Sequence, residues 1–138
     1  MRTLALDYGE ARIGVAISDP TGLLAQPLET IVTQPGDKAA LARIAEIVKA
    51  QEVGQIVIGL PLHMSGRAGP EVERTNAFGE RVRKRTGVPV DFLDERWTSR
   101  EAERAMDDAG LSRKQQRGRV DPIAAALLLR TWLELRRK

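Results

Sequence analysis

Acidic residues stand at three points of the chain where an apolar segment ends or begins, and there a carboxylate could do chemistry. Asp7 is the next-to-last residue of the run TLALDY, Asp94 and Glu95 follow VPVDFL, and Asp121 precedes the last apolar segment. A carboxylate at the edge of a hydrophobic core costs free energy unless it is paired, hydrogen-bonded or bound to a cation. Each position also has a structural explanation. Asp7 could form a turn, Asp94 or Glu95 a salt bridge, and Asp121 a helix cap.

Taken jointly, the acids favour a site for a divalent cation. Three carboxylates that converge repel one another unless a cation lies between them. The chain has no cysteine and one histidine, so oxygen ligands dominate, and these favour Mg²⁺ or Mn²⁺ over zinc. Two such ions about 4 Å apart can stabilise the attacking and leaving oxygens of an in-line phosphoryl displacement. Because successive strand residues point to opposite faces, only one of Asp94 and Glu95 can share a face with Asp7, and the spacing does not decide which.

The apolar pattern predicts strands and helices that could bring these acids together. Residues 3–8 and 12–18 predict an antiparallel hairpin, and the alternation from Leu28 to Val32 extends it to a third strand. Asp37 is expected to cap a first helix with an apolar stripe over 40–48. QIVIGLP predicts a fourth strand, residues 71–85 a second helix that ends before Gly87, and VPVDFL a fifth strand.

Two more helices are predicted in the last third of the chain. The capping-box spacing of TSRE at 98–101 indicates the start of one, and Asp121-Pro122 indicates the N-cap and first residue of the other. The intervening stretch SRKQQRGR (112–119) is predicted to be a loop. Apolar residues of the final helix recur at helical spacing: Ile123, Leu127, Leu128, Trp132 and Leu135.

The order β-β-β-α-β-α-β-α-α matches the ribonuclease-H-like α/β architecture. We expect one domain over residues 1–138, with a five-stranded mixed sheet covered by helices on both faces. The sheet would combine a three-strand antiparallel meander with two parallel strands, and its first strand would be central. A Rossmann fold would have a helix after the first strand and does not fit.

Positive charge is concentrated in the second half of the chain. Residues 1–66 carry five Lys/Arg and seven Asp/Glu, a net −2, whereas residues 67–138 carry seventeen and twelve, a net +5. Arginine is suited to bidentate phosphate contacts, so a nucleic-acid partner is predicted. Four basic residues just before Asp121 favour a phosphate-binding flap over a solvated loop: Arg113, Lys114, Arg117 and Arg119. The lack of cysteines, of a long apolar run and of a signal-peptide pattern predicts a cytoplasmic protein without a membrane span.

Four motifs, in this order over essentially the whole chain, resemble those of the YqgF family, also called RuvX. They are DYGEARIGVAISD, VIGLPLHMSG, DERWTS and VDPIAAALLLRTWL. Members of that family are described as Holliday junction resolvases and as nucleases that mature the 5′ end of pre-16S ribosomal RNA. The resemblance therefore implies a ribonuclease-H-like hydrolase that cuts phosphodiester bonds with Mg²⁺ or Mn²⁺. It ranks pre-rRNA processing in ribosome biogenesis first and junction resolution in recombination and repair second, with ribosomal particles as further partners.

The resemblance also implies roles for individual residues. It assigns catalysis and metal binding to Asp7, Glu95 and Asp121, and so chooses Glu95 over Asp94. Arg12 would contact phosphate or stabilise the first hairpin. Residues of the second motif would lie near the substrate: Gly59, Pro61 and Gly66.

Two departures from the family pattern bear on the site. The second motif reads His63-Met64-Ser65-Gly66 where relatives have an acid before the glycine, and no second acid follows Asp121 closely. A second ion would then be held weakly or be recruited with the substrate phosphate.

Other classes of protein share parts of this pattern. A phosphotransferase of the actin and hexokinase type has the same sheet but needs two such lobes. A ribosome-assembly module without chemistry would keep the fold and dispense with the acids. The sequence leaves open whether the protein is a monomer or a homodimer.

Overall fold

The computed structural model describes residues 1–33, 36–61, 69–95 and 113–137, and in the last segment it describes side chains for residues 122–136. Its elements, in chain order, are β1 (Arg2–Tyr8), β2 (Arg12–Ser18), β3 (Ala25–Val32), α1 (Lys38–Ala50), β4 (Val53–Leu60), α2 (Pro70–Thr86), β5 (Val90–Asp94) and α3 (Arg113–Arg137).

The described strands form one mixed sheet in the order β3-β2-β1-β4-β5. The first three strands pair antiparallel, whereas β4 lies parallel to both β1 and β5. The predicted meander with two added parallel strands is confirmed, and β1 is central. Since β1, β4 and β5 run in the same direction, their carboxyl ends meet at one edge of the sheet.

Alternating side chains of the sheet build a separate core on each face. Leu4, Leu6 and Ile58 belong to the larger core, which α1 and α2 cover. Ala5, Ala16 and Val57 belong to the smaller core, and α3 packs across β2, β3 and β1 on that face. The period of two along a strand therefore assigns each residue at the carboxyl-end edge to one of two distinct surfaces.

The first two helices lie where the sequence predicts them, with one difference at a cap. Gly87 ends α2 in the left-handed conformation (φ 73°), and its N–H donates to the Arg83 carbonyl at 2.8 Å. Asp37 precedes α1 but makes no side-chain capping bond. Its carboxylate instead accepts hydrogen bonds from Arg81 on α2, at 2.6 and 3.0 Å. An ion pair between helices has replaced the cap.

The final helix begins earlier than the sequence predicts. It starts at Arg113, so residues 113–119 are helical rather than a loop, and Asp121 and Pro122 lie inside the helix instead of at its start. An internal proline costs the helix one backbone hydrogen bond. Lys, Arg and Gln before it are good helix formers, and the apolar stripe beyond it is anchored on the sheet. The helix predicted from residues 98–101 lies outside the described residues.

The buried side of α3 is also shifted from the predicted stripe. Its buried residues are Ala125, Leu128, Leu129, Trp132 and Leu133. Leu135, which the spacing assigned to the stripe, is 54% exposed. None of the helices in the described ranges contains an apolar stretch of the length that a membrane span requires.

Candidate nuclease site

The first acid, Asp7, lies at the carboxyl-end edge of the sheet on the face that α3 covers. Its neighbour Tyr8 points to the opposite face, where its ring stacks on Phe78 of α2 with a centroid distance of 4.1 Å and an interplanar angle of 10°. Asp7 pairs with Gly14 of β2. Gly59 comes level with it on β4, one step beyond the pair Leu6 and Ile58. Glycines therefore flank the carboxylate on both neighbouring strands.

The second acid, Glu95, directly follows β5 and shares the face of Asp7. Phe92 packs towards Gly79 of α2, whereas Leu93 belongs to the smaller core under α3. Alternation then puts Glu95 on the side of Leu93 and Asp94 on the other side. The Glu95 carboxyl crosses β4 and hydrogen-bonds with the Asp7 carboxyl. The structure thus brings together two acids that are 88 positions apart in the sequence.

The close approach of the two acids changes the proton affinity of Glu95. Burial, and after it the hydrogen bond with Asp7 and the negative charges of Asp7 and Asp94, together raise the pKa of Glu95 to about 9. Two carboxylates in contact must share a proton or a cation, because their charges repel in a partly buried site. An all-oxygen donor set of this kind fits Mg²⁺ or Mn²⁺.

The third predicted acid, Asp121, is described only through its backbone. Position 121 lies in α3, one turn before Ala125, which is fully buried against the sheet. Its side chain lies outside the described residues. Among the side chains that are described, no group of three or more Asp, Glu, His or Cys could hold a metal ion. The described part of the site is therefore the pair formed by Asp7 and Glu95.

The predicted substrate contacts are distributed around this edge of the sheet. Arg12 begins β2 with an exposed side chain, and its carbonyl accepts a hydrogen bond from the Gly9 N–H at 2.9 Å. This backbone hydrogen bond closes the hairpin. Gly59 is buried in β4 beside the two acids. Gly66 lies outside the described residues, as do the side chains of Arg113, Lys114, Arg117 and Arg119.

Pro61 lines a groove that was not predicted from the sequence. The groove has a volume of about 390 Å³ and lies on the α2 face, between the ends of β1 and β4 and the start of α2. Tyr8, Arg74 and Thr75 also line it. In the sequence, the feature that indicates this groove is Thr75, which is at helical spacing from Val72, Phe78 and Val82 in a highly charged helix. In the structure Thr75 is 1% exposed.

An antiparallel meander extended by parallel strands defines the ribonuclease-H-like class of folds, and here paired carboxylates lie at the end of its central strand. Solved structures share this fold. The chain superimposes on Thermus thermophilus RuvC in complex with a Holliday junction with a TM-score of 0.61 at 18% identity, covering 99% of this chain and 95% of the other. For the fowlpox virus resolvase with Holliday junction DNA, the TM-score is 0.58 at 10% identity, with both chains fully covered.

Sequence comparison then gives the family. Residues 1–135 match the family model described as "RuvX: Holliday junction resolvase". Relatives named "Putative pre-16S rRNA nuclease" occur in Pelotomaculum thermopropionicum (42% identical, 97% of this chain and 87% of the relative), Lacticaseibacillus casei (42%, 97% and 94%) and a Roseiflexus species (43%, 99% and 96%). The chain belongs to the RuvX family. It is a nuclease, a hydrolase that acts on phosphodiester bonds.

Proposed function

We propose that this protein is a metal-dependent endonuclease that processes the 5′ end of pre-16S ribosomal RNA in the cytoplasm. The name shared by relatives 42–43% identical over nearly the whole chain favours this substrate. The description of the family model favours a second candidate, branched DNA at Holliday junctions. Either substrate is a structured nucleic acid. The RNA substrate would be either free or part of a ribosomal particle. The active enzyme would be either a monomer or a homodimer.

One observation carries the proposed chemistry: the Glu95 carboxyl reaches across β4 to the Asp7 carboxyl. Structural acids on a protein surface avoid each other, since like charges at short range cost free energy. A pair held together by strand ends is therefore an arrangement that a bound cation would stabilise. The sheet fixes the position of both groups, because Asp7 lies in β1 and Glu95 directly follows β5.

In this proposal Asp7, Glu95 and Asp121 together hold Mg²⁺ or Mn²⁺. A divalent ion in such a site supplies an activated water and offsets the charge on the leaving oxygen. Asp7 provides a fixed carboxylate at the end of the central strand. Glu95 would release its proton to solvent when the ion binds. Position 121 approaches from α3, where Ala125, one turn further on, is buried against the sheet.

Other residues would position the substrate. Arg12 stands at the hairpin beside Asp7 and would contact a phosphate there. The basic group at the start of α3 would hold the backbone further along: Arg113, Lys114, Arg117 and Arg119. Pro61 and Gly66 would shape the loop that follows β4.

The test is a cleavage assay with the parent protein, Asp7→Asn and the control Asp91→Asn. Each is given a pre-16S RNA 5′ leader and a synthetic four-way DNA junction, with Mg²⁺, with Mn²⁺ and with chelator. We expect the parent and Asp91→Asn to cut the RNA in either metal. Asp7→Asn should be slower by at least about 100-fold, because it lacks one charge where the transition state needs a cation.

Asp91→Asn is a stringent control, because it also removes one negative charge, from an exposed position on β5. Cleavage of RNA by Asp7→Asn at the parent's rate would refute the metal mechanism. Cleavage of the junction in preference to the RNA would replace the first substrate by the second.

A further inference from the structure

Gly59 occupies the point where the Glu95 side chain crosses β4. A methyl group built on its Cα would lie 2.7 Å from Glu95 Cγ and 2.9 Å from Cδ. Real Cβ atoms essentially never approach other heavy atoms below 3.0 Å, so any other residue at 59 must displace the acid. Gly59 is in an ordinary strand with no positive φ, so backbone freedom does not explain the glycine.

The neighbours of the glycine make this displacement consequential. Gly59 is buried and level with Asp7, so the Glu95 carboxyl passes over it to reach its partner. Val57, two residues earlier on the same face, is fully buried in the smaller core. The Glu95 side chain can therefore cross β4 over Gly59, whereas the side chain of Val57 fills the corresponding space at position 57.

We propose that Gly59 is a positioning residue for the nuclease site, whose missing side chain opens the path by which Glu95 reaches Asp7 across β4. It is not a substrate contact in this proposal. The inference deepens the proposed function and depends on it only for the metal. The steric part concerns the fold alone.

The steric part is tested by a double-mutant cycle with Gly59→Ala, Glu95→Ala and the double variant. Equilibrium unfolding in urea with chelator gives the unfolding constant of each. Glu95→Ala removes the atoms that would collide with a methyl group at 59. We expect Gly59→Ala to raise the unfolding constant at least about tenfold more in the parent than in the Glu95→Ala background.

Gly54→Ala is the matched control, because it lies on the same strand. A methyl group there meets the side chain of Met1, which is 85% exposed and can move. Its effect should be equal in the two backgrounds. If Gly59→Ala alone fails to fold while the double variant folds, the coupling has its most extreme value. Equal costs of Gly59→Ala in both backgrounds would overturn the proposal.

Mn²⁺ affinity separates positioning from a general loss of stability. In the folded proteins we expect Gly59→Ala to raise the Mn²⁺ dissociation constant about 10- to 100-fold in the parent and to have no further effect when Glu95 is already Ala. An unchanged affinity in Gly59→Ala would overturn the positioning role. Steric coupling in a parent that binds no Mn²⁺ would instead overturn the proposed function, while the path for Glu95 would stand.

Discussion

At the level of single residues, Glu95 has the largest pKa shift among the groups that the structure describes. Its pKa rises from an ordinary 4.5 to about 9 through burial and the contact with Asp7. Metal-free folded protein therefore keeps a proton that the unfolded chain releases above about pH 4.5. Stability contributed by this proton is present below that pH and is lost as the pH rises towards about 9.

Replacing Glu95 by Gln should remove this dependence. In chelator, the parent's free energy of unfolding should fall between pH 5.5 and 8 by up to about 1.4 kcal/mol per pH unit more than that of Glu95→Gln. The variant should consequently be the more stable protein at pH 8. Urea unfolding at several pH values measures this, with Asp91→Asn as a control that keeps the parent's profile. Parallel profiles for the parent and Glu95→Gln would show that the acid pair holds no extra proton.

At the level of elements, α3 shows what local sequence signals can and cannot decide. Asp121-Pro122 has the composition of a helix start, yet the helix begins at Arg113. The capping pattern was misleading because it depends only on residues adjacent in the sequence. The position of α3 also depends on its tertiary contacts with β1, β2 and β3. The early start places the basic residues on the same helix as Asp121 rather than on a separate flap.

Because the four basic residues at the start of α3 lie on one helix, we expect their substitution to remove several phosphate contacts together. A variant with Arg113, Lys114, Arg117 and Arg119 changed to Ala should bind RNA more weakly whatever the sequence. Its plot of log affinity against log salt should flatten by about 0.7 per lost phosphate contact for a single strand. Binding is measured in chelator so that nothing is cut.

The control for this prediction removes four charges from the helices on the opposite face of the sheet. Its substitutions to Ala are at Lys38, Lys49, Lys84 and Arg85. It should keep the parent's salt slope. A parent-like slope in the α3 variant would remove these residues from the phosphate contacts.

At the level of the whole molecule, the sheet could be predicted because each strand carries its own signal. Short β-branched runs and the glycine-containing break between β1 and β2 give the meander, and the helical stripes of α1 and α2 give the crossovers to β4 and β5. The choice between Asp94 and Glu95 needs more than this. It depends on the register of β5 and on the face that Phe92 takes against Gly79, both of which are set by packing between distant segments.

The convergence of the acids is likewise a property of the whole fold. Parallel strands bring the carboxyl ends of β1 and β5 to one edge, but β4 lies between them. The distance is bridged because Gly59 leaves the path open. No periodicity along the chain predicts this detail, since a buried glycine in a strand has several possible reasons.

Calorimetric titration with Mn²⁺ at pH 7.5 asks whether Asp7 and Glu95 form one divalent-metal site. Buffers of different ionisation enthalpy report the protons released on binding. The parent and Asp91→Asn should bind Mn²⁺ and release about one proton, because the ion displaces the proton held at Glu95. Asp7→Asn should bind at least about tenfold more weakly. Binding by Asp7→Asn with the parent's affinity and proton release would show that the acid pair is not the metal site.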